Sequence, residues 1–253
     1  MTEAIDKDQV STARLERILG EDGLAKLANA TVMVLGLGGV GSNCVEALAR
    51  GGVGNFVLLD RDEVQGSNIN RQAIAYRSTI GRRKVDVMRA MIADINPAAN
   101  VTTHDMALLP GNLEEFMDSY VDQVDYVIDA IDTVAQKLLL AQYACAHDVR
   151  LLSCMGAANK LHPECFQFAD LHKTVNCPLC RIMRKEARKR GITHLRVLYS
   201  SEEPLKIASV EGAERSERTN LGTMSYVPPI MGQMLAGEVI REITGLNGNR
   251  WKK

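Results

Sequence analysis

Apolar residues in this chain fall into short unbroken runs that alternate with longer stretches where they recur every third or fourth position. The first run, Thr31 to Leu35, breaks into Gly36-Leu37-Gly38-Gly39-Val40-Gly41-Ser42, which reads as a buried strand ending in a G-x-G-x-x-G turn. A helix is predicted over 39–50 and a second strand over 55–60, closing a βαβ unit. Beyond a polar loop at 61–77, Val85, Met88, Met91 and Ile92 keep helical spacing, so a helix runs over 82–95 until Asn96-Pro97 stops it. The alternation continues with strands at 101–104, 124–129 and 150–155 and helices at 113–120 and 134–147. Past Gly156 the pattern is less regular: a loop at 170–176, a basic helix at 181–190, a polar stretch at 205–223 read as a mobile loop, and a helix at 229–244 with Ile230, Leu235, Val239 and Ile240 on its core face.

Strand–helix alternation of this kind specifies an α/β fold, a Rossmann-like, doubly wound, mainly parallel sheet with a C-terminal extension. The 253 residues suffice for one such core. With no convincing linker, the whole chain, 1–253, is read as a single domain with an N-terminal arm at about 1–30. No apolar run approaches the roughly 18 residues of a membrane span, and the polar start is unlike a signal peptide. Six cysteines in a nucleotide-type fold suit a reducing cytoplasm better than a disulfide scaffold. The formal net charge of −1 provides no global field for nucleic acid, so any such contact must use a local patch.

The chemistry concentrates at strand ends. Asp60 closes the second strand at the distance expected of a ribose contact. Asn68, Asn70, Arg71 and Gln72 follow it, and Lys84 opens the next helix beside Arg82 and Arg83. Asp129 and Asp132 end the 124–129 strand and open onto the same crevice. Carboxylates facing cations and amides suit a Mg²⁺-triphosphate, whereas hydride transfer would leave the phosphates as inert handles. ATP therefore fits the residues better than a nicotinamide cofactor.

On these residues, Gly36 to Ser42, Asp60, Ser67 to Gln72, Lys84 and Asp129-x-x-Asp132, the chain resembles the ubiquitin-activating-enzyme-like adenylyltransferase superfamily, which includes activators of sulfur carriers. Asn70-Arg71-Gln72, Ile95-Asn96-Pro97, Asp170-Leu171-x-Lys173-Thr174 and Ser225 to Pro229 make it most similar to the tRNA threonylcarbamoyladenosine dehydratase branch. The resemblance spans about 11–245. It implies that Gly36, Gly38, Gly39 and Gly41 form the phosphate turn and that Asp60 holds the ribose. It further implies that Asn68, Asn70, Arg71 and Lys84 contact the nucleotide, and that Asp132 binds Mg²⁺ with Asp129 in support. A homodimer is implied, with Arg14 (Arg17 as second candidate) reaching into a partner's site. The implied reaction is ATP-dependent closure of a ring on a tRNA adenosine modification through a carboxyl-adenylate. Activation of a ubiquitin-like sulfur carrier is the alternative, and a sulfur-relay protein is a candidate partner.

Two features fall outside that pattern. Cys177-Pro178-Leu179-Cys180 is half of a zinc site with no second C-x-x-C, and it is read as a pair of ordinary thiols. Arg181, Arg184, Lys185, Arg188, Lys189 and Arg190 make a basic helix face suited to the phosphates of a tRNA. The histidines form no recognisable constellation.

Overall fold

The computed structural model describes residues 12–207 and 221–246. Seven strands form one sheet: β1 (Thr31–Leu35), β2 (Asn55–Leu59), β3 (Asn100–His104), β4 (Tyr126–Asp129), β5 (Leu151–Cys154), β6 (Phe166–Asp170) and β7 (Arg196–Ser200). Their order is β3-β2-β1-β4-β5-β7-β6, and only the β6–β7 pair is antiparallel. The chain winds outward from β1 through β2 to β3, then returns to pair β4 on the other side of β1. The crevice between β1 and β4 is thus the switch point where open α/β sheets bind ligands.

Both faces of the sheet are covered, which explains the unbroken apolar runs. Val32 and Val34 point into one core with α2 (Gly39–Arg50), α3 (Lys84–Ile95) and α7 (Val227–Thr244). Met33 and Leu35 point into the other with α4 (Leu113–Asp118), α5 (Val134–Ala146) and α6 (Pro178–Lys189). Successive strand residues face opposite sides, so one strand feeds two cores. The packing of α7 on α2 is close enough to require glycine. A Cβ on Gly232 would stand 2.4 Å from the Val40 carbonyl oxygen, and one on Gly39 would stand 2.9 Å from Pro228 Cβ.

Three expectations need correction. The N-terminal arm contains a 17-residue helix, α1 (Ala13–Asn29), interrupted at Gly20, whose φ of 67° is left-handed. The segment after Gly156 adds β6 and β7 to the sheet, so it is less of an appendage than its sequence suggests. The basic helix starts three residues early, at Pro178. Of the stretch expected to be a mobile loop, 208–220 lies outside the described residues.

Candidate active site

The glycine turn is held by groups on both sides of it. Gly36 has φ +92°, and a Cβ there would stand 2.8 Å from the Ala130 carbonyl oxygen; one on Gly41 would stand 1.8 Å from the Gly36 oxygen. Gly36 and Gly41 are therefore required by the protein's own packing. Gly38 differs: a Cβ there would meet nothing within 4 Å, and the residue lines the crevice. The open space above Gly38, at the N-terminus of α2, is where backbone N–H groups favour an anion.

The first turn of α2 also sets the loop that follows Asp60. Ser42 Oγ donates to the Gly38 carbonyl at 2.7 Å and accepts from Ala73 N–H at 3.0 Å. Asn43 Nδ2 donates to the carbonyls of Gly39, at 2.7 Å, and Arg71, at 3.0 Å. Arg71 is thereby laid along the glycine turn, its Cγ 3.1 Å from the position of a Cβ on Gly39. Its Nη1 donates to the Ser67 carbonyl and to Asn70 Oδ1, at 3.1 and 2.8 Å. Asn70 Nδ2 in turn donates to the Thr223 carbonyl at 3.1 Å. Asn70 is thus a link between Arg71 and the segment before α7, rather than part of the crevice wall.

Asp60 is buried, and its carboxylate accepts from Leu37 N–H at 2.6 Å and Asp62 N–H at 2.8 Å. Burial pushes its pKa up from the ordinary aspartate range, against the opposing pull of Lys84. Lys84, also buried, places Nζ 2.9 Å from Asp62 Oδ2 and 3.8 Å from Asp60 Oδ1. Arg83 pairs with Asp105 at 3.0 Å and donates to the Arg61 carbonyl, so it braces the loop. Asn68 lines the crevice while its Oδ1 accepts from Gln65 N–H at 3.0 Å.

Across the switch point Asp132 is exposed and lines the crevice, with Oδ1 accepting from Thr133 Oγ1 at 3.1 Å. Asp129, expected to support a metal, sits below the crevice floor, fully buried. Its Oδ2 accepts from Lys137 Nζ at 2.9 Å and Ser153 Oγ at 2.6 Å, and its Oδ1 accepts from Ile131 N–H at 3.1 Å. The Asp129 carboxylate is committed to this network and shapes the turn that carries Asp132.

The crevice encloses about 1370 Å³ and gathers Gly36, Gly38, Gly39, Asp60, Asn68, Arg71, Gln72, Lys84 and Asp132 in its wall. Gly41, Asn70 and Asp129 are not part of that wall. Arg14 is elsewhere: Thr12, at the start of α1, packs beside Gly52, at the far end of α2 from the glycine turn. A 12-residue helix is about 18 Å long, so Arg14 stands far from the crevice of its own chain. Two residues went unassigned by sequence reasoning. Gln72 is buried in the wall, and its Oε1 has no hydrogen-bond partner. Lys137, fully buried against Asp129, gave no signal because its partner is eight positions away on a different element.

This glycine turn, buried aspartate and cation cluster at a β1/β4 switch point define a nucleotide-binding α/β protein. The chain belongs to the ThiF family, matched over residues 10–253. It is 40% identical over 240 residues to a tRNA threonylcarbamoyladenosine dehydratase of Bacillus subtilis, covering 91% of this chain and 93% of that one. Among solved structures it is similar to E. coli tRNA N6-threonylcarbamoyladenosine dehydratase in complex with AMP: TM-score 0.81, 31% identity, and coverage of 92% of this chain and 93% of that one. The same enzyme in complex with ATP gives a TM-score of 0.83 at 29% identity, covering 95% and 96%.

Proposed function

We propose that this chain is an ATP-dependent tRNA N6-threonylcarbamoyladenosine dehydratase. The observation that carries the proposal is the convergence of Asp60, Arg71, Lys84 and Asp132 on one crevice, in a chain that matches such dehydratases along most of its length. The wall fits a nucleotide: Gly38 leaves open space before a helix N-terminus, and Asp60, Arg71 and Lys84 line the same crevice. ATP supplies an adenylyl group, which turns the hydroxyl of a carboxylic acid into a good leaving group.

The chain's own residues account for the rest. Asp60 holds the ribose in this reading, and its carboxylate fixes the glycine turn through Leu37 N–H. Arg71, Lys84 and Asn68 spread the charge that builds on the phosphates. Asp132 would hold a Mg²⁺ ion, which would help neutralise phosphate charge, since Mg²⁺ commonly takes one or two carboxylates. Asn70 keeps Arg71 in place. Ring closure within one tRNA modification needs no enzyme thiol, because the reacting groups are already joined.

The tRNA reading gains support from α6. Arg181, Lys185 and Arg188 are exposed at i, i+4 and i+7, and Arg181 also lines the crevice. This stripe runs from the crevice mouth outward, as a phosphate backbone entering the site requires. The proposal includes a cytoplasmic location and a homodimer in which Arg14 serves the partner's site. The second C-x-x-C of many sulfur-carrier activators is missing from the sequence, which argues against that alternative. The decisive experiment incubates the protein with ATP, Mg²⁺ and tRNA bearing threonylcarbamoyladenosine. The expected product is a nucleoside lighter by one water, with pyrophosphate released. Pyrophosphate release with a ubiquitin-like carrier protein and none with tRNA would overturn the proposal.

A further inference from the structure

Beside the residues assigned above, the crevice wall holds a thiol, Cys177, that the proposed reaction does not use, and a second, Cys180, follows it on the same helix. Cys177 is the N-cap of the 12-residue α6, Pro178 takes the first helical position, and Cys180 lies one turn in. Cys177 Sγ accepts from Cys180 N–H at 3.4 Å, so the first sulfur folds back over the helix start toward the second. The chain turns into this cap through Asn176, whose φ of 54° is left-handed and whose Nδ2 donates to the Ser201 carbonyl at 3.0 Å. The cap is therefore tied to the residue that follows β7. Cys177, itself only 4% exposed, touches the crevice, whereas Cys180 is wholly buried beneath it.

We propose that Cys177 and Cys180 form a redox-active dithiol at the crevice wall, with Cys177 attacking small disulfides and Cys180 resolving the mixed disulfide. A sulfur at a helix N-terminus, with an N–H aimed at it, is stabilised as thiolate. The surrounding groups agree. The Cys180 thiol donates to Cys177, and the Lys160 ammonium faces it, holding its pKa down at about 6, while burial works in the opposite direction. Cys180 is pushed up by the same hydrogen bond and by burial, with Thr174 and Arg184 pulling the other way. Cys154, on β5, also faces Cys177, and burial keeps it protonated at about 12. One sulfur is thus set to attack and the other to wait. Among the described residues, no set of three or more His, Cys, Asp or Glu side chains is grouped as metal ligands would be.

The exchange balances with a low-molecular-weight disulfide as oxidant. The Cys177 thiolate attacks one of its sulfurs; the new S–S bond forms as the old one breaks, and a small thiolate leaves and takes a proton. Cys180 gives its proton to solvent and attacks the Cys177 sulfur, and the second small thiol leaves. Two electrons pass from the dithiol to the small disulfide. Closure removes the acceptor for Cys180 N–H and the negative charge facing Lys160, both in the wall of the crevice.

The test uses the reduced full chain, oxidised glutathione as the probe, and mapping of trapped products by mass spectrometry. The expected main product links Cys177 to Cys180. Cys180→Ser should instead accumulate a glutathione adduct on Cys177, and Cys177→Ser should lose both products. Exposed Cys145 is the internal reference. The rate at Cys177 should rise with a midpoint near pH 6, about two and a half units below that of an ordinary thiol. Modification of Cys145 while Cys177 and Cys180 of the unsubstituted chain stay reduced would overturn the proposal. So would a Cys177 midpoint in the ordinary thiol range. Neither readout depends on ATP or tRNA, so the result is separable from the proposed dehydratase activity.

Discussion

Asp60 and Asp129 each end a strand beside β1, yet their surroundings give them different work. Asp60 faces the crevice and spends one oxygen on the glycine turn, while Asp129 turns below the floor and meets a buried lysine. A sequence shows two carboxylates at strand ends; only the packing decides which is free to meet a ligand. Asp132, Arg71 and Lys84 are charged residues of the crevice that also holds Gly38. If they act when charge builds on the α-phosphate, replacing each with alanine should lower turnover more than ATP affinity. For Asp132→Ala the expected loss is about two to three orders of magnitude in kcat, the scale of one preorganised charge partner. Single-turnover pyrophosphate release with tRNA, set beside ATP titration, separates the two effects. Near-normal release in all three variants would remove these residues from the chemistry.

At the scale of elements, the first half of the fold could be read almost directly. β1, α2, β2, α3, β4, α5 and β5 combine unbroken or helical apolar spacing with clear stops, because a sheet covered on both faces leaves little latitude. β6 was missed for a physical reason. β6, Phe166–Asp170, is an edge strand with partly exposed residues, so it lacks a buried run. α1 was missed because its outward face is polar and Gly20 interrupts it. The basic character of α6 was legible, but the jobs of its cations were not. Arg184 Nη1 donates to the Thr174 carbonyl at 2.8 Å, and Glu186 pairs with Lys189 at 2.7 Å and Arg190 at 2.8 Å. Those three are partly engaged within the protein, which leaves Arg181, Lys185 and Arg188 as the stripe proposed to meet phosphate. Changing that stripe to glutamine should weaken tRNA binding and flatten its salt dependence by about 0.9 log-log units per lost duplex contact. ATP affinity should stay within about threefold, as the phosphate cluster lies on other elements. An unchanged salt slope would mean that α6 is merely a solvated face.

The whole molecule raises the question of how a site can use a residue that its own chain keeps at a distance. α1 starts beside Gly52, at the end of α2 remote from the phosphate turn, and Arg14 is exposed there. In the proposed homodimer its route to the chemistry is through a second copy of the chain. In a symmetric dimer such an exchange is reciprocal, each subunit giving its Arg14 and receiving the other's. Subunits carrying Arg14→Ala and subunits carrying Asp132→Ala should each be nearly inactive alone. In a mixed dimer, the site with intact Asp132 receives an intact Arg14 from the other chain. A random mixture of equal amounts should then regain about a quarter of the parent's activity, since half of the dimers are mixed and each mixed dimer has one complete site. Subunit exchange can be followed with differently tagged chains. If exchange is complete and activity stays at the level of the separate variants, Arg14 does not complete a neighbour's site. The same experiment with Arg17→Ala shows which of the two arginines crosses the interface, because only the one that reaches the partner's phosphates can be rescued in this way.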